Sequence, residues 1–592
     1  MTTSPYQAPV TDMTFVMGVL DGFAQPGQRG PLAELGMAMV GDVLAEAARF
    51  AEQRLAPLYH SADRAGVSFA AGRVTVPDEI KRAYLDFVTA GWPSLAGPAE
   101  YGGQGLPQCV AVAVAEMWRS ANLAFALCPM LTSAAAEAVL RHGSETLKAG
   151  YAAKLVSGEW SGTMNLTEAQ AGSDLSLIST MASPSPDGYR LRGRKVFITW
   201  GDHDLTENIV HLVLARTPDA PAGVKGLSLF LVPKRLPAVT GGPSAPNDIA
   251  TLSIEHKLGI HASPTCVMSY GDAGGASAWL VGKSHGGLDA MFTMMNQARL
   301  AVGVEGLGVA ERAYQKALAY ARERLQGSLP GVAGPVAIIR HPDVRRMLIT
   351  MKSFLQAMRT LAYWGAFKLD LATRDAAAAG HAALLTPVIK AWCTESAQEV
   401  VSLGLQVHGG AGYIEETGAA QLFRDARITT IYEGTTGIQA NDFLRRKLIP
   451  DEARAARALL GDFRHVLAAD AVDAGLRVSD RERLGAALDA VDQALAAVMA
   501  CYRRDALQAA GVAVPLLMSY GTLLGGCLLV RCAAAAAREL RGSCTEARRA
   551  YLQGQCQLTE FYIAQILPRA QSHAAAAEAG ATGDQAFPDI LL

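Results

Sequence analysis

No lysine occurs after Pro450, and the residues that follow carry 14 Arg against 16 Asp plus Glu. That mildly acidic balance lacks the basic face that duplex binding requires, so no nucleic-acid partner is expected there. The whole chain is equally short of charge of one sign. A formal net charge of −2 over 592 residues gives no reason to expect an anionic membrane surface as a partner. Cysteine is sparse and unpatterned: the nine residues Cys109, Cys128, Cys266, Cys393, Cys501, Cys527, Cys532, Cys544 and Cys556 are odd in number and show no CxxC spacing. This argues against a disulfide framework and a structural zinc site, fits a reducing compartment, and leaves no metal expected. The opening residues Met1 to Pro5 lack a basic stretch, and the apolar run 14–20 is short and bracketed by Asp12 and Asp21, so the expectation is no signal peptide and a cytoplasmic location. No fixed-period repeat is evident, which argues against solenoids and propellers.

What is present includes one long uncharged stretch, 506–530, with Leu516, Leu517, Leu523, Leu524, Leu528 and Leu529. It is long enough to span a bilayer. Pro515, Ser519, Thr522, Gly521, Gly525 and Gly526 favour a helix buried in a bundle instead, so no membrane span is expected.

At roughly 100 to 200 residues per domain, the length suggests about three to five domains. Residues 1–34, punctuated by Gly22, Pro26, Gly27, Gly30 and Pro31, read as an extended N-terminal arm. Residues 35–157 read as helical, with stretches at 37–55 and 110–117 and a loop over 92–107. Over 158–283 the texture becomes short β-favouring runs at 195–199, 209–215, 227–232, 251–254 and 265–268, separated by turn signals such as 183–188 and 241–248; a small β-barrel or sandwich follows. Helix returns over 284–450, where Leu300, Val304, Leu307, Tyr314, Leu318 and Ala321 share one face. Residues 451–592 form a separate Ala- and Leu-rich helical domain. The fold class is mainly α with a central β-barrel domain.

Three runs suggest chemistry. Met164-Asn165-Leu166-Thr167-Glu168-Ala169-Gln170-Ala171-Gly172-Ser173-Asp174 offers small residues and hydroxyls that let backbone N–H groups approach a polar cofactor, although on these residues alone it reads more readily as a Ser/Asp-capped loop entering a strand. Gly193 to Thr199 is a strand whose alternation puts Phe197 and Thr199 on one face, an aromatic plane and a hydroxyl, although a strand aromatic is more often core. Gln406-Val407-His408-Gly409-Gly410-Ala411-Gly412-Tyr413 leads to Ile431-Tyr432-Glu433-Gly434-Thr435-Thr436-Gly437-Ile438-Gln439. No strand precedes that glycine cluster, so a nicotinamide-binding fingerprint fails its own context.

In this order, the runs resemble the acyl-CoA dehydrogenase family over nearly all of residues 35–450. The resemblance implies a helical, a β and a second helical domain, the acyl-CoA dehydrogenase-like fold, with the extra C-terminal helical domain beyond it. It implies FAD bordered by Met164, Leu166, Thr167 and Ser173, with Phe197 and Thr199 flanking the isoalloxazine. Arg324 would meet the phosphates, Gln406 and Gly410 the adenosine end of a neighbouring subunit's FAD, and Thr435 and Gln439 would complete the site. Such sharing implies a homodimer or larger homo-oligomer. Ser173, Asn296, Arg299 and Gly434 would lie by the bound acyl-CoA, and Glu433 would be the catalytic base. Phe197 stands where many members carry tryptophan, Ala169 for a proline, Asn296 for an aspartate, and His261 for an arginine; His261 reads as a loop residue.

The activity implied is α,β-dehydrogenation of an acyl-CoA to the trans-2-enoyl-CoA, with an electron-transfer flavoprotein as oxidant. The long form, together with runs 202–216, 259–268 and 291–296, resembles a branch that includes 3-methylmercaptopropionyl-CoA dehydrogenases. This favours that substrate or a short-chain acyl-CoA over a medium- or long-chain one. Met291, Met294 and Met295 read as core or as an adaptable acyl pocket. From another class, a non-catalytic or DNA-associated flavoprotein on the same fold is disfavoured by the charge balance.

Overall fold

The computed structural model describes residues 6–21, 30–236 and 244–583. The opening pentapeptide, the punctuation from Gly22 to Gly27 and the Gly241 end of the 241–248 signal lie outside the described residues. The chain forms two compact units that are not consecutive in sequence: residues up to Ala48, Pro107–Ser120 and from Arg299 onward make the first; Arg49–Leu106 and Ala121–Ala298 make the second.

The second unit is built on β-structure. A small hairpin, β1 (Ser68–Ala70) and β2 (Arg73–Thr75), precedes β3 (Ser161–Asn165), β4 (Met181–Ser185), β5 (Gly188–Thr199), β6 (Ile209–Arg216) and β7 (Leu227–Pro233). Two short strands, β8 (Arg235–Leu236) and β9 (Ala245–Pro246), pair with each other, and β10 (Ile249–Ile254), β11 (Thr265–Tyr270) and β12 (Ala276–Val281) follow. Pairing runs β5–β12–β7–β6, and β4 bridges β6 back to β5, which closes a ring. The far half of β5 pairs with β11, and β3 lies parallel beside β6. The expected strands all form, and the β-domain is a barrel.

β6 and β7 are buried on both faces, and their period of two divides the work. Val213, Ala215, Phe230 and Val232 point into the barrel core, whereas Val210, Leu212, Leu229 and Leu231 pack with Ala135 and Val139 of the helix Leu123–His142. That helix approaches β3 so closely that a Cβ on Gly162 would sit 2.5 Å from the Ala135 methyl. Glycine is therefore required, and the fit fixes β3 and Met164 beside it. Met291 and Met294 are fully buried in this same cluster and Met295 packs against it, so this methionine run is core.

The first unit is helical: Gln108–Ala121, Gly287–Glu323 from Arg299 onward, Pro342–Leu371, Ala376–His408, Val478–Arg504, Ala513–Leu540, Glu546–Gln565 and Pro568–Thr582. Among the described residues, three helices are long and apolar enough to cross a membrane by length and composition, Leu123–His142, Val478–Arg504 and Ala513–Leu540. The apolar window of Ala513–Leu540 is 83% buried within the protein. Its glycines explain themselves there. A Cβ on Gly521 would lie 2.5 Å from Trp392, and Gly525 and Gly526 sit under Tyr562.

The reading of 1–34 as an extended arm is corrected: Val10–Asp21 is a helix. Met13, Val16, Met17 and Leu20, three and four apart, are fully buried, and Asp12 pairs with Lys352 at 2.5 Å. The helix is apolar nearly all round, with Thr11 and Gly18 exposed, and that apolar run outweighed the turn signals that follow it.

Candidate active site

The helix Ala419–Arg427 ends in a 3-10 turn, Ile428–Thr430, and the chain then reverses through two consecutive left-handed residues, Glu433 at φ +56° and Gly434 at φ +94°. A glutamate in that region costs on the order of 1–3 kcal/mol and persists only where its surroundings hold it. The hold is visible. Gln439 Nε2 donates to the Glu433 carbonyl at 2.9 Å and to the Gly434 carbonyl at 3.3 Å, and the Thr435 hydroxyl accepts from Ile438 N–H, capping Thr436–Asp442. A Cβ on Gly434 would stand 2.7 Å from Gln439 Nε2, so this turn admits only glycine there.

The Glu433 side chain is half-buried, and loss of water raises its carboxyl to about 7. Arg299 and Lys390 oppose that rise and Glu305 adds to it. Arg299 is buried, and its Nη1 lies 3.3 Å from Asp442 at the end of the Thr436–Asp442 helix. Behind the turn, the Tyr432 hydroxyl donates to Glu305 Oε2. Burial lifts Glu305 to about 7 against the pull of Arg119, the Tyr432 hydrogen bond and Lys390. Lys390 is fully buried and pushed down to about 8 by burial, with Glu433, Glu305 and Glu395 pulling the other way. A carboxylate poised near neutrality beside a fixed arginine is suited to taking a proton from a weak acid.

A second group belongs to the barrel unit. Lys195 Nζ donates to the Leu166 carbonyl at 2.8 Å and to Glu168 at 2.9 Å; Val196 N–H donates to the Thr167 carbonyl at 2.9 Å, and the Thr163 hydroxyl to the Thr199 carbonyl at 2.8 Å. The loop carrying Met164, Leu166 and Thr167 is thus tied to the strand carrying Phe197 and Thr199. Simple alternation does not describe that strand. Lys195 pairs with Met268 and Ile198 with Cys266, leaving Val196 and Phe197 opposite the single Val267, a β-bulge with Phe197 at φ +59°. The bulge turns the Phe197 ring out, 62% exposed, and Thr199 follows half-buried. Ser173 is exposed in the succeeding loop, and Asn296 is exposed one helical turn before Arg299.

The third group lies elsewhere. Arg324 is exposed just past the Gly287–Glu323 helix, and Gln406 and Gly410 are exposed around the end of Ala376–His408. Tyr320 stacks on His408 with ring centroids 4.6 Å apart, so the three share one end of the helix pair. At 1.5 Å per residue, Tyr320 is about 22 Å along its helix from Glu305.

Residues 42–159, 163–273 and 285–448 match the acyl-CoA dehydrogenase N-terminal, middle and C-terminal domains, and 459–584 match the domain described as acetyl-CoA dehydrogenase C-terminal like. The chain belongs to the acyl-CoA dehydrogenase family. It is 46% identical over 575 residues to 3-methylmercaptopropionyl-CoA dehydrogenase of Ruegeria pomeroyi, covering 95% of this chain and 96% of that one. It is 34% identical to the broad-specificity linear acyl-CoA dehydrogenase FadE5 of Mycobacterium tuberculosis, over 95% and 96% of the two chains. Among solved structures, Caenorhabditis elegans ACDH-11 in complex with C11-CoA shares the fold over 99% of this chain and 97% of its own, with TM-score 0.76 at 22% identity. A structure described as the electron transferring flavoprotein of Acidaminococcus fermentans matches 69% of this chain and 97% of its own, with TM-score 0.57 at 27% identity. The acyl-CoA dehydrogenase family is FAD-dependent, and its chemistry is oxidoreduction of an acyl-CoA.

Several members of the site escape sequence reasoning. Glu305 sits inside the apolar run Gly303-Val304-Glu305-Gly306-Leu307, and Lys390 inside Val388-Ile389-Lys390-Ala391-Trp392. A lone charge within a core helix is the signal that marks them. His261 is a turn residue, its Nδ1 3.2 Å from Asp63 and its Nε2 2.9 Å from the Lys257 carbonyl.

Proposed function

We propose that this chain removes the α-proton of an acyl-CoA thioester with Glu433 and, with FAD bound, converts the substrate to the trans-2-enoyl-CoA. The observation that carries the reading is the Glu433 turn: a strained, half-buried carboxylate raised to about 7 and flanked by Arg299. A carboxylate at its ordinary value of 4.5 is a poor match for so weak a carbon acid. Filling the pocket with an acyl chain would exclude more water and raise its basicity further. In this reading the backbone N–H of Glu433 donates to the thioester oxygen, and Gly434, Ser173, Asn296 and Arg299 border the substrate.

The residues present fit FAD. The bulge leaves the Phe197 ring outside the barrel core, a flat platform next to the Thr199 hydroxyl and the backbone of Leu166 and Thr167. Met164, Leu166, Thr167, Ser173, Phe197 and Thr199 would hold the flavin, with Thr435 and Gln439 completing that site. FAD supplies the hydride acceptor when bound. Arg324, Gln406 and Gly410, at one end of the helix pair, would meet the phosphates and the adenosine end, the last two on a neighbouring subunit's cofactor. This makes the enzyme a homodimer or larger.

The identity to the Ruegeria protein supports 3-methylmercaptopropionyl-CoA or a short-chain acyl-CoA as substrate. The likeness to the Acidaminococcus flavoprotein structure supports an electron-transfer flavoprotein as oxidant, and the absence of a cysteine framework in the sequence is what speaks for the cytoplasm as the place of action. The identity to the linear acyl-CoA dehydrogenase supports straight-chain acyl groups as the second reading. Anaerobic titration of the purified protein with 3-methylmercaptopropionyl-CoA, butyryl-CoA and octanoyl-CoA, following flavin absorbance, decides between them. Bleaching is expected fastest with the thioether. Glu433→Gln is expected to keep bound FAD and ligand affinity and to lose almost all flavin reduction; retained reduction would remove Glu433 as the base. In the wild type, reduction is expected to speed up as pH rises through about 7, because the raised carboxyl must ionise before it can accept a proton.

A further inference from the structure

The base described above is backed by charged groups that make no contact with solvent. Glu305 and Lys390 are both fully buried, on the Gly287–Glu323 and Ala376–His408 helices. Glu305 uses one oxygen to accept the Tyr432 hydroxyl, and its Oε1 has no hydrogen-bond partner among the described residues; neither has Lys390 Nζ. Burying a carboxylate and an ammonium without direct pairing costs several kcal/mol per ion, and apolar residues of similar volume would serve packing better. Their retention behind the turn that holds Glu433 left-handed points to a use.

We propose that Glu305 and Lys390 are positioning residues for the base: Glu305 fixes the Glu433 turn through the Tyr432 hydroxyl, and the two opposite charges set the pH at which Glu433 becomes able to accept a proton. This rests on the reading of Glu433 as the base. The groups that face Glu433 come from every element around it. Arg299 and Glu305 lie on one helix and Lys390 on another, which also carries Glu395, itself an acceptor for the Thr436 hydroxyl. Arg119, on Gln108–Ala121, acts on Glu305 and Tyr432, and Asp442 neutralises Arg299. With Arg299 engaged by Asp442, Glu305 and Lys390 are the two whose removal tips the balance in opposite directions.

The test is the pH dependence of anaerobic flavin reduction by acyl-CoA in the holoenzyme, alongside the pH at which the Glu433 carboxyl C=O stretch appears in infrared difference spectra against Glu433→Gln. Glu305→Gln keeps an oxygen for Tyr432 but deletes the like charge, so both profiles should move to lower pH by about one unit. Lys390→Met deletes the opposite charge, so both should move to higher pH by a similar amount. A role in packing alone would lower FAD content or stability without moving the two variants in opposite directions. Tyr432→Phe leaves every other charge in place and should lower the rate several-fold with little displacement of the profile. If Glu433→Gln is inactive while neither charge variant displaces the profile, this proposal is overturned and the base stands. If Glu433→Gln remains active, the base reading itself fails. Should Glu305→Gln not fold, the direction of the Lys390→Met shift and the Tyr432→Phe rate decide the matter.

Discussion

Glu168 shows how much one side chain can organise. Its two oxygens accept from Gln170, from the N–H and hydroxyl of Ser179, from the N–H and hydroxyl of Thr180, and from Lys195. Burial alone would raise this carboxyl, but the Lys195 charge and these donors outweigh it and hold it at about 2. Because the folded value lies below the ordinary 4.5, the stability it contributes is present above pH 4.5 and is lost as pH falls toward 2. Glu168→Gln leaves Lys195 buried without its counter-charge and is expected to cost about 3–5 kcal/mol, read as a lower denaturation midpoint. Glu433 was singled out as the candidate base through its neighbours Tyr432 and Gly434 in the chain. Glu305 was not, because the hydroxyl that explains it comes from Tyr432, 127 residues away.

Helices and strands were legible wherever periodicity was strong. The run 209–215 falls in β6, which ends one residue later, and the stretch 110–117 lies inside Gln108–Ala121, which runs four residues further. The bulge at Phe197 was not legible, since it is produced by pairing with β11, more than sixty residues on. The helix Val10–Asp21 was hidden for a related reason: its apolar face has meaning only against helices hundreds of residues later. The glycines of Ala513–Leu540 carry a prediction at this scale. Alanine normally improves a helix by about 1 kcal/mol over glycine. At Gly521 the added methyl meets Trp392, which cannot swing aside because its Nε1 donates to Thr522 at 3.0 Å. Gly521→Ala is therefore expected to destabilise by about 1–3 kcal/mol net, measured as a fall in Tm.

Over the whole molecule, the extra C-terminal helices are part of the core of the first unit. Thr522 accepts from Trp392, Arg569 pairs with Glu399 at 2.5 Å and stacks on Phe354, and Tyr520 reaches the Ala456 carbonyl. Removing everything after Pro450 would bare Trp392, Phe354 and the apolar helix faces around them. The expected result is aggregated protein rather than a smaller soluble enzyme, checked by expression and sizing.

The Asp12 carboxylate, which pairs with Lys352, also accepts from the Tyr551 hydroxyl at 3.0 Å, across 539 residues of chain. At a synthesis rate of about 5–20 residues per second, the Val10–Asp21 helix waits roughly half a minute to two minutes for that partner. Its other main partner, the Pro342–Leu371 helix that carries Lys352, is made some 180 residues sooner. The Val10–Asp21 helix is thus sealed on one side only after Tyr551 has been made, well after its Lys352 partner is in place.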